Sequence, residues 1–339
     1  MEKQFQSLIQ TMRSNSKHRL LYVYKNRVPK KLRDLVLSFI PKNKFVIKMM
    51  EYDISDQEKI KNLKWAEVVL FAPGRFLSDE IMANCKHIKL MQLWSSGYEK
   101  FNIKSAKKYK IPVANNGGGN AISVSEHAVM LMLAVFKWLP KSHWRTVTGN
   151  WAGNSHGMDM FTLNGKTLGI VGFGNIGREV ARKVSGFDMK VLYYDIVKAK
   201  TEIEKIYNVS YCSFNKLVSK SDIITLHLHS NKKTENIIGT KELQIMKNNA
   251  VLINVSRAQL VDQKALYTTL KNKKIAGAGL DVFINEPTIG DEPLLNLPNV
   301  VATPHMAGST FDAYNIAINR CIQNLVRVVE NKDIKWIVT

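Results

Sequence analysis

The segment Leu168-Gly169-Ile170-Val171-Gly172-Phe173-Gly174-Asn175-Ile176-Gly177-Arg178 constrains the fold more than any other part of the 339-residue chain. Spaced glycines alone carry little weight, because glycine turns are common. Here a β-rich run precedes them, Asn175 to Ser185 reads as a helix, and a second β-run ends at Asp195, 18 residues after Gly177. That is the strand–turn–helix–strand context of a dinucleotide fingerprint. Gly172 would make the tight turn, Gly174 would admit a pyrophosphate, and Gly177 would let helix pack on strand. The first helical turn, Asn175 and Ile176 included, offers unpaired N–H groups and a positive dipole end to phosphates. Asp195 can accept from both adenosine ribose hydroxyls and repels a 2′-phosphate, so NAD is expected over NADP.

The same alternation extends in both directions. Before the fingerprint, strands are expected at Leu20 to Tyr24, Phe45 to Met49, Ala66 to Phe71, Ile88 to Leu93 and Ile111 to Ala114. Helices are expected at Lys31 to Ile40, from Ser78 onward with Ser78 as cap, and near Asn102 to Tyr109. After it, strands are expected at Thr167 to Phe173, Lys190 to Tyr194, Asp222 to Leu228, Val251 to Val255, Ala276 to Val282 and Val300 to Thr303, and a terminal helix at Asp312 to Glu330. Strands separated by crossover helices argue for parallel sheets. Between the two series, Asn115-Asn116-Gly117-Gly118-Gly119-Asn120 breaks the rhythm, and three consecutive glycines suggest a hinge. One long helix, Ser123 to about Val147, is expected to follow.

A composition of 45% apolar and 23% charged residues is that of an ordinary globular chain with cores of its own. No apolar stretch approaches the roughly 20 residues of a membrane span. The net charge of +21 is spread along the whole length without a basic run or aromatic-interleaved stripe, so no nucleic-acid footprint is expected. Cys85, Cys212 and Cys321 are odd in number and lack metal-ligand spacing, which favours incidental thiols in a reducing, cytoplasmic setting and no metal site. Phe5, Leu8, Ile9 and Met12 recur at helical spacing beside Lys, Arg and Ser. A short leading helix is the expectation there, and a mitochondrial presequence the alternative.

Three segments fall at the carboxyl ends of expected strands, where α/β sheets hold ligands. They are Asn254-Val255-Ser256-Arg257-Ala258-Gln259-Leu260-Val261-Asp262, Asp281-Val282-Phe283-Ile284-Asn285-Glu286-Pro287 and Thr303-Pro304-His305-Met306-Ala307-Gly308-Ser309-Thr310. Behind a dinucleotide fingerprint, they supply a fixed cation, a carboxylate and a general acid/base. With Asn120-Ala121-Ile122-Ser123-Val124-Ser125-Glu126-His127-Ala128, they make the chain from about residue 19 resemble the D-isomer-specific 2-hydroxyacid dehydrogenases.

The resemblance implies two flavodoxin/Rossmann-like doubly wound parallel-sheet domains with an active-site cleft between them. Residues 1–119 plus 306–339 would form the substrate domain, and 120–305 the inserted NAD-binding domain. It implies that His305 is the acid/base for interconverting a 2-oxo acid and a D-2-hydroxy acid, and that Glu286 is its partner. Arg257 would bind the substrate carboxylate and carbonyl. Ser95, Ser96, Gly97 and Tyr98 match the loop that cradles the carboxylate, with Asn120 near the same pocket. Leu228, His229, Thr234, Val255, Ser256 and Asp281 match cofactor-lining positions, Asp281 being placed to take the carboxamide. Ala258 and His229 depart from the usual Gly and Pro without removing a catalytic group. Arg75 would meet a second anionic group or lie exposed. A homodimer joined through Ser123 to Val147 is also implied. Two alternatives keep the same fold and triad: an NAD(H)-sensing, corepressor-like binding protein, and a dehydrogenase acting on a non-carboxylate anion.

Overall fold

The computed structural model describes residues 17–74, 76–288 and 292–339. The leading helix and Arg75 lie outside them. The chain divides into two compact units, one running to Gly119 and resuming at Tyr314–Thr339, the other Asn120–Ala313.

The first unit holds five strands, β1 (His18–Tyr24), β2 (Phe45–Glu51), β3 (Val68–Phe71), β4 (Leu90–Leu93) and β5 (Val113–Ala114), in the order β2-β1-β3-β4-β5. Every pairing is parallel. In β3 and β4 every residue is buried, because helices cover both faces, and such strands read as apolar runs without alternation. The crossovers are α1 (Lys30–Phe39), α2 (Asp56–Trp65), α3 (Asp79–Ala83) and α4 (Ile103–Lys108). Ser78 caps α3 through the Ile81 N–H, as expected. α2 was not anticipated: only Leu63 is buried in it, so its apolar period is faint. Its signal is instead Ser55-x-x-Glu58, where Ser55 Oγ accepts from the Glu58 N–H.

The second unit carries seven parallel strands, β6 (Thr167–Val171), β7 (Lys190–Tyr194), β8 (Val209–Tyr211), β9 (Ile223–Leu226), β10 (Val251–Asn254), β11 (Gly277–Leu280) and β12 (Val300–Ala302). Their order is β12-β11-β10-β9-β6-β7-β8. The order reverses direction between β6 and β9, which is where doubly wound sheets open a ligand crevice at their carboxyl ends. One face is covered by α5 (Ala121–Phe136), whose Val124, Ala128, Leu131 and Val135 join the core of β6 and β10. Gly279 of β11 allows this approach, since a Cβ there would stand 2.9 Å from Leu131 Cβ.

Two expectations are corrected. The long helix is two: α5 stops at Phe136, and α6 (Leu139–Val147) leaves at 62°. Trp138 is left-handed at φ 51°, and Pro140 has no N–H to offer the Phe136 carbonyl, which accepts from Phe161 instead. The second domain boundary falls at 313/314, not 305/306. Residues 306–308 stay with the second unit because Met306 and Ala307 N–H groups bond Asp281, and Ser123 Oγ donates to the Ala307 carbonyl. α12 (Phe311–Val329) then runs into the first unit, where Ile318, Cys321, Ile322 and Leu325 enter its core. The Gly117–Gly119 loop, expected as a hinge, ends at the boundary between the two units and carries several hydrogen bonds of its own. Its N–H groups bond Asn115 and Asn116 side chains, and Gly117 (φ +62°) lies against the Trp336 ring.

Candidate active site

The glycine turn follows β6 at the switch point. Gly172 has φ +97°, and a Cβ there would meet the His227 carbonyl oxygen at 2.7 Å. A Cβ on Gly177 would stand 2.2 Å from the Gly172 oxygen, so the helix α7 (Asn175–Val184) packs on its strand only with glycine there. Gly174 faces open space. The helix starts without a side-chain cap, leaving its first turn to another acceptor. Asp195, just past β7, accepts from the Phe173 N–H at 2.7 Å and so fixes the turn it was expected to serve. Tight turn, open approach and uncapped helix fit a pyrophosphate, and the acid fits a ribose.

Leu228, His229 and Thr234 form the loop after β9. Thr234 Oγ1 donates to the His229 carbonyl at 2.7 Å, and Leu228 packs beside Gly172. His227, one residue earlier, is a partly buried imidazole whose Nε2 meets Thr225 Oγ1 at 2.9 Å; loss of solvation pushes its pKa down to about 3. After β10, Val255 is buried and Ser256 Oγ donates to the Leu226 carbonyl, tying β9 to β10. Arg257 leaves this strand end half-buried, with Nη1 donating to the Ser256 carbonyl.

His305 and Glu286 are brought together. Nδ1 of His305 lies 2.7 Å from Glu286 Oε2, while Glu286 Oε1 accepts from the Phe283 N–H. The carboxylate thus holds the imidazole by one edge and is itself held by the chain leaving β11, so Nε2 is the ring atom directed elsewhere. His305 sits at φ +52°, a strained setting for a residue with a Cβ. Asp281 supports it. This fully buried carboxylate, expected to line the nicotinamide, accepts from Thr303 Oγ1 (2.6 Å), the Met306 N–H (2.9 Å) and the Ala307 N–H (2.9 Å). His127 of α5 joins the network, its Nε2 lying 2.8 Å from Thr303 Oγ1, and burial outweighs Asp281 in lowering its pKa. With Thr303 donating to Asp281, His127 is the donor to Thr303. Asn120 lies against Gly308 of the same loop.

Registers place these groups on one edge: Val171, Leu226, Asn254, Leu280 and Ala302 are aligned across neighbouring strands. The turn, Arg257, Asp281 and His305 all follow those ends. Ser95, Ser96, Gly97 and Tyr98 are likewise beyond the carboxyl end of their strand, β4, in the first unit. Among the described residues no three His, Cys, Asp or Glu side chains are grouped to hold a metal. All three cysteines are buried, and burial pushes the Cys85 thiol up to about 12.

Residues 129–307 match the family model for the D-isomer specific 2-hydroxyacid dehydrogenase NAD binding domain. A glyoxylate reductase of Thermococcus litoralis is 39% identical over 252 residues, 73% of this chain and 76% of that protein. The chain belongs to the D-isomer specific 2-hydroxyacid dehydrogenase family. A glyoxylate reductase of Korarchaeum cryptofilum is 37% identical over 249 residues, 73% of this chain and 75% of that protein. A D-3-phosphoglycerate dehydrogenase of Archaeoglobus fulgidus is 36% identical over 261 residues, 77% of this chain but 49% of that longer protein. Among solved structures, D-lactate dehydrogenase of Lactobacillus jensenii with NAD+ is 27% identical at a TM-score of 0.80, covering 95% of this chain and 99% of that one. This 2-hydroxyacid dehydrogenase is therefore an NAD-dependent oxidoreductase acting on 2-oxo and 2-hydroxy acids, built on two parallel doubly wound sheets. No single helix among the described residues is long and apolar enough to cross a membrane.

Proposed function

We propose that this dehydrogenase reduces a small 2-oxo acid to the D-2-hydroxy acid, with His305 as acid/base, Glu286 as its partner and Arg257 as the substrate-binding cation. The observation that carries the reading is the His305–Glu286 pair at 2.7 Å beyond the same sheet edge as the glycine turn. NADH supplies the hydride when bound. Its pyrophosphate would be held at Gly174, Asn175 and Ile176, its adenosine ribose at Asp195, and its nicotinamide near Leu228, Val255, Ser256 and Asp281.

For the carbonyl to become an alcohol, one proton must reach its oxygen. Protonated His305, held at Nδ1 by Glu286, donates it from Nε2 and recovers it from solvent. Arg257 is permanently charged and forked, so it can hold the carboxylate and offset charge developing on the carbonyl oxygen. N–H groups of Ser95, Ser96, Gly97 and Tyr98 would receive the carboxylate, with Asn120 near the same substrate. Glyoxylate is favoured by the names of two of the relatives above, both glyoxylate reductases, and hydroxypyruvate by that of a Thermotoga maritima hydroxypyruvate reductase 33% identical over 273 residues.

Leu139, Trp144 and Val147 of α6 are each more than half exposed, and they supply an apolar surface for a homodimer. Sedimentation velocity should read twice the monomer mass, and a monomer at micromolar concentration would exclude the dimer. The activity is tested by mixing the purified protein with NADH and glyoxylate, hydroxypyruvate, pyruvate or phenylpyruvate and following nicotinamide absorbance. Oxidation of NADH with one of the first two is expected. NADH binding without turnover on any acid would refute the enzymatic reading and favour a sensor.

A further inference from the structure

An anion cradle made of backbone must point N–H groups at the ligand and turn its carbonyls away. In the loop after β4 every carbonyl from Trp94 to Gly97 is occupied from within the same unit. The Trp94 oxygen accepts from Asn116 Nδ2 at 2.8 Å, and the Ser95 oxygen from the Asn116 backbone N–H at 3.3 Å. The Ser96 oxygen accepts from Asn115 Nδ2 at 2.9 Å, and the Gly97 oxygen from Ser95 Oγ at 2.6 Å. The backbone N–H groups of Ser95 and Gly97 have no hydrogen-bond partner among the described residues.

Asn116 is the centre of this arrangement and is 2% exposed. Its Oδ1 accepts from Ser96 Oγ (2.6 Å) and from the N–H groups of Gly118 (3.0 Å) and Gly119 (3.2 Å). Three donors on one side and a carbonyl on the other fix which way the amide faces. Below it, Gln92 Nε2 bonds the Leu93 and Asn115 carbonyls, and Gln92 Oε1 accepts from Asn324 of α12. The Asn115–Asn116 pair therefore rests on a buried polar footing, and it could not shift without leaving several buried groups unpaired.

We infer that Asn116, assisted by Asn115, is the positioning residue of the substrate-carboxylate cradle. The pair draws three consecutive carbonyls inward, those of Trp94, Ser95 and Ser96, while Ser95 Oγ takes that of Gly97, so that the N–H groups of the Ser95–Tyr98 loop present one sign of charge to an anion. The inference rests on the proposed function, in which that loop receives the carboxylate. Its consequence is a split in the kinetics. Binding of the carboxylate depends on Asn116, whereas proton transfer from His305 and binding of the dinucleotide do not.

Steady-state reduction of glyoxylate and competitive inhibition by oxamate test it, alongside the Kd for NADH. In Asn116→Ala, the glyoxylate KM and oxamate Ki should both rise about tenfold or more, the loss of one charge-assisted hydrogen bond. The kcat should stay within about threefold and the NADH Kd unchanged. Should that variant not fold, Asn116→Asp keeps the three bonds to Oδ1 and removes only the donor to the Trp94 carbonyl. It should show the same split, enlarged by the added negative charge. A wild-type enzyme that reduces glyoxylate, with a folded variant whose KM and oxamate Ki are unchanged, would overturn this inference alone. A variant whose kcat falls as much as its KM rises would also overturn it, by showing a merely structural residue. Wild-type protein that neither reduces a 2-oxo acid nor binds oxamate with NADH present would remove the proposed function, and this inference with it.

Discussion

The His305 loop shows how a strained residue is kept in place. A positive φ at a residue with a Cβ costs on the order of 1–3 kcal/mol, and it persists only where the surroundings over-determine it. Asp281 provides that determination by accepting three hydrogen bonds from residues 303, 306 and 307, on both sides of the histidine. Ser123 and His127, one helical turn apart on α5, hold the same loop through the Ala307 carbonyl and Thr303 Oγ1. The loop is therefore fixed before any substrate arrives, and Glu286 has only to set the ring. Arg257, Glu286 and His305 could be singled out in the sequence because a cation, a carboxylate and an imidazole each follow an expected strand end. The supporting role of Asp281 was not, because a buried acid serving three donors looks no different in one dimension from an acid serving a ligand. Asn116 was hidden for a similar reason: in Asn115-Asn116-Gly117 it reads as a turn former, and its partners lie some 20 residues away.

At the scale of elements, the glycine turn separates two jobs that share one motif. Gly177 is required by packing, with 2.2 Å between its would-be Cβ and the Gly172 oxygen, whereas Gly174 has nothing within 4 Å. Gly177→Ala should lower stability by about 1–3 kcal/mol, the usual cost of overpacking, and weaken NADH binding with it. Gly174→Ala should keep the wild-type Tm while raising the NADH Kd about tenfold or more. Thermal melts and a fluorescence titration of both variants check this; equal melting temperatures for the two would contradict it. Long buried strands and strongly amphipathic helices were legible from pattern alone. The misses were elements that tertiary packing decides. α2 buries one residue, β8 has three residues at the sheet edge, and the α5–α6 break depends on where Pro140 falls relative to the Phe136 carbonyl. The second unit boundary was misplaced for a like reason, since the bonds that keep residues 306–308 with the cofactor sheet join positions 25 or more apart.

For the whole molecule, two partly buried histidines contribute to how stability varies with pH. Burial lowers the pKa of His227 to about 3 and also lowers that of His127, so both are neutral in the native state near neutrality. The unfolded chain protonates them near pH 6.5. Stability is therefore complete above that pH and falls as acid is added, by about 1.4 kcal/mol per pH unit for each proton taken up only by the unfolded state. Carboxylates act lower: burial opposes ionisation of Glu67, but hydrogen bonds from His18 and Lys89 hold its pKa at about 2, so its contribution is lost below about pH 4.5. A decline in Tm beginning near pH 6.5 is expected, reduced in a folded His227→Asn variant; a flat Tm down to pH 4.5 would contradict it. The claim on which the enzymatic account depends is that one imidazole supplies the proton. Single-turnover reduction of glyoxylate by His305→Gln, with NADH affinity measured on the same sample, tests it most directly. The account predicts a rate at least about 10²-fold below wild type with an NADH Kd within about twofold; turnover at the wild-type rate would contradict it.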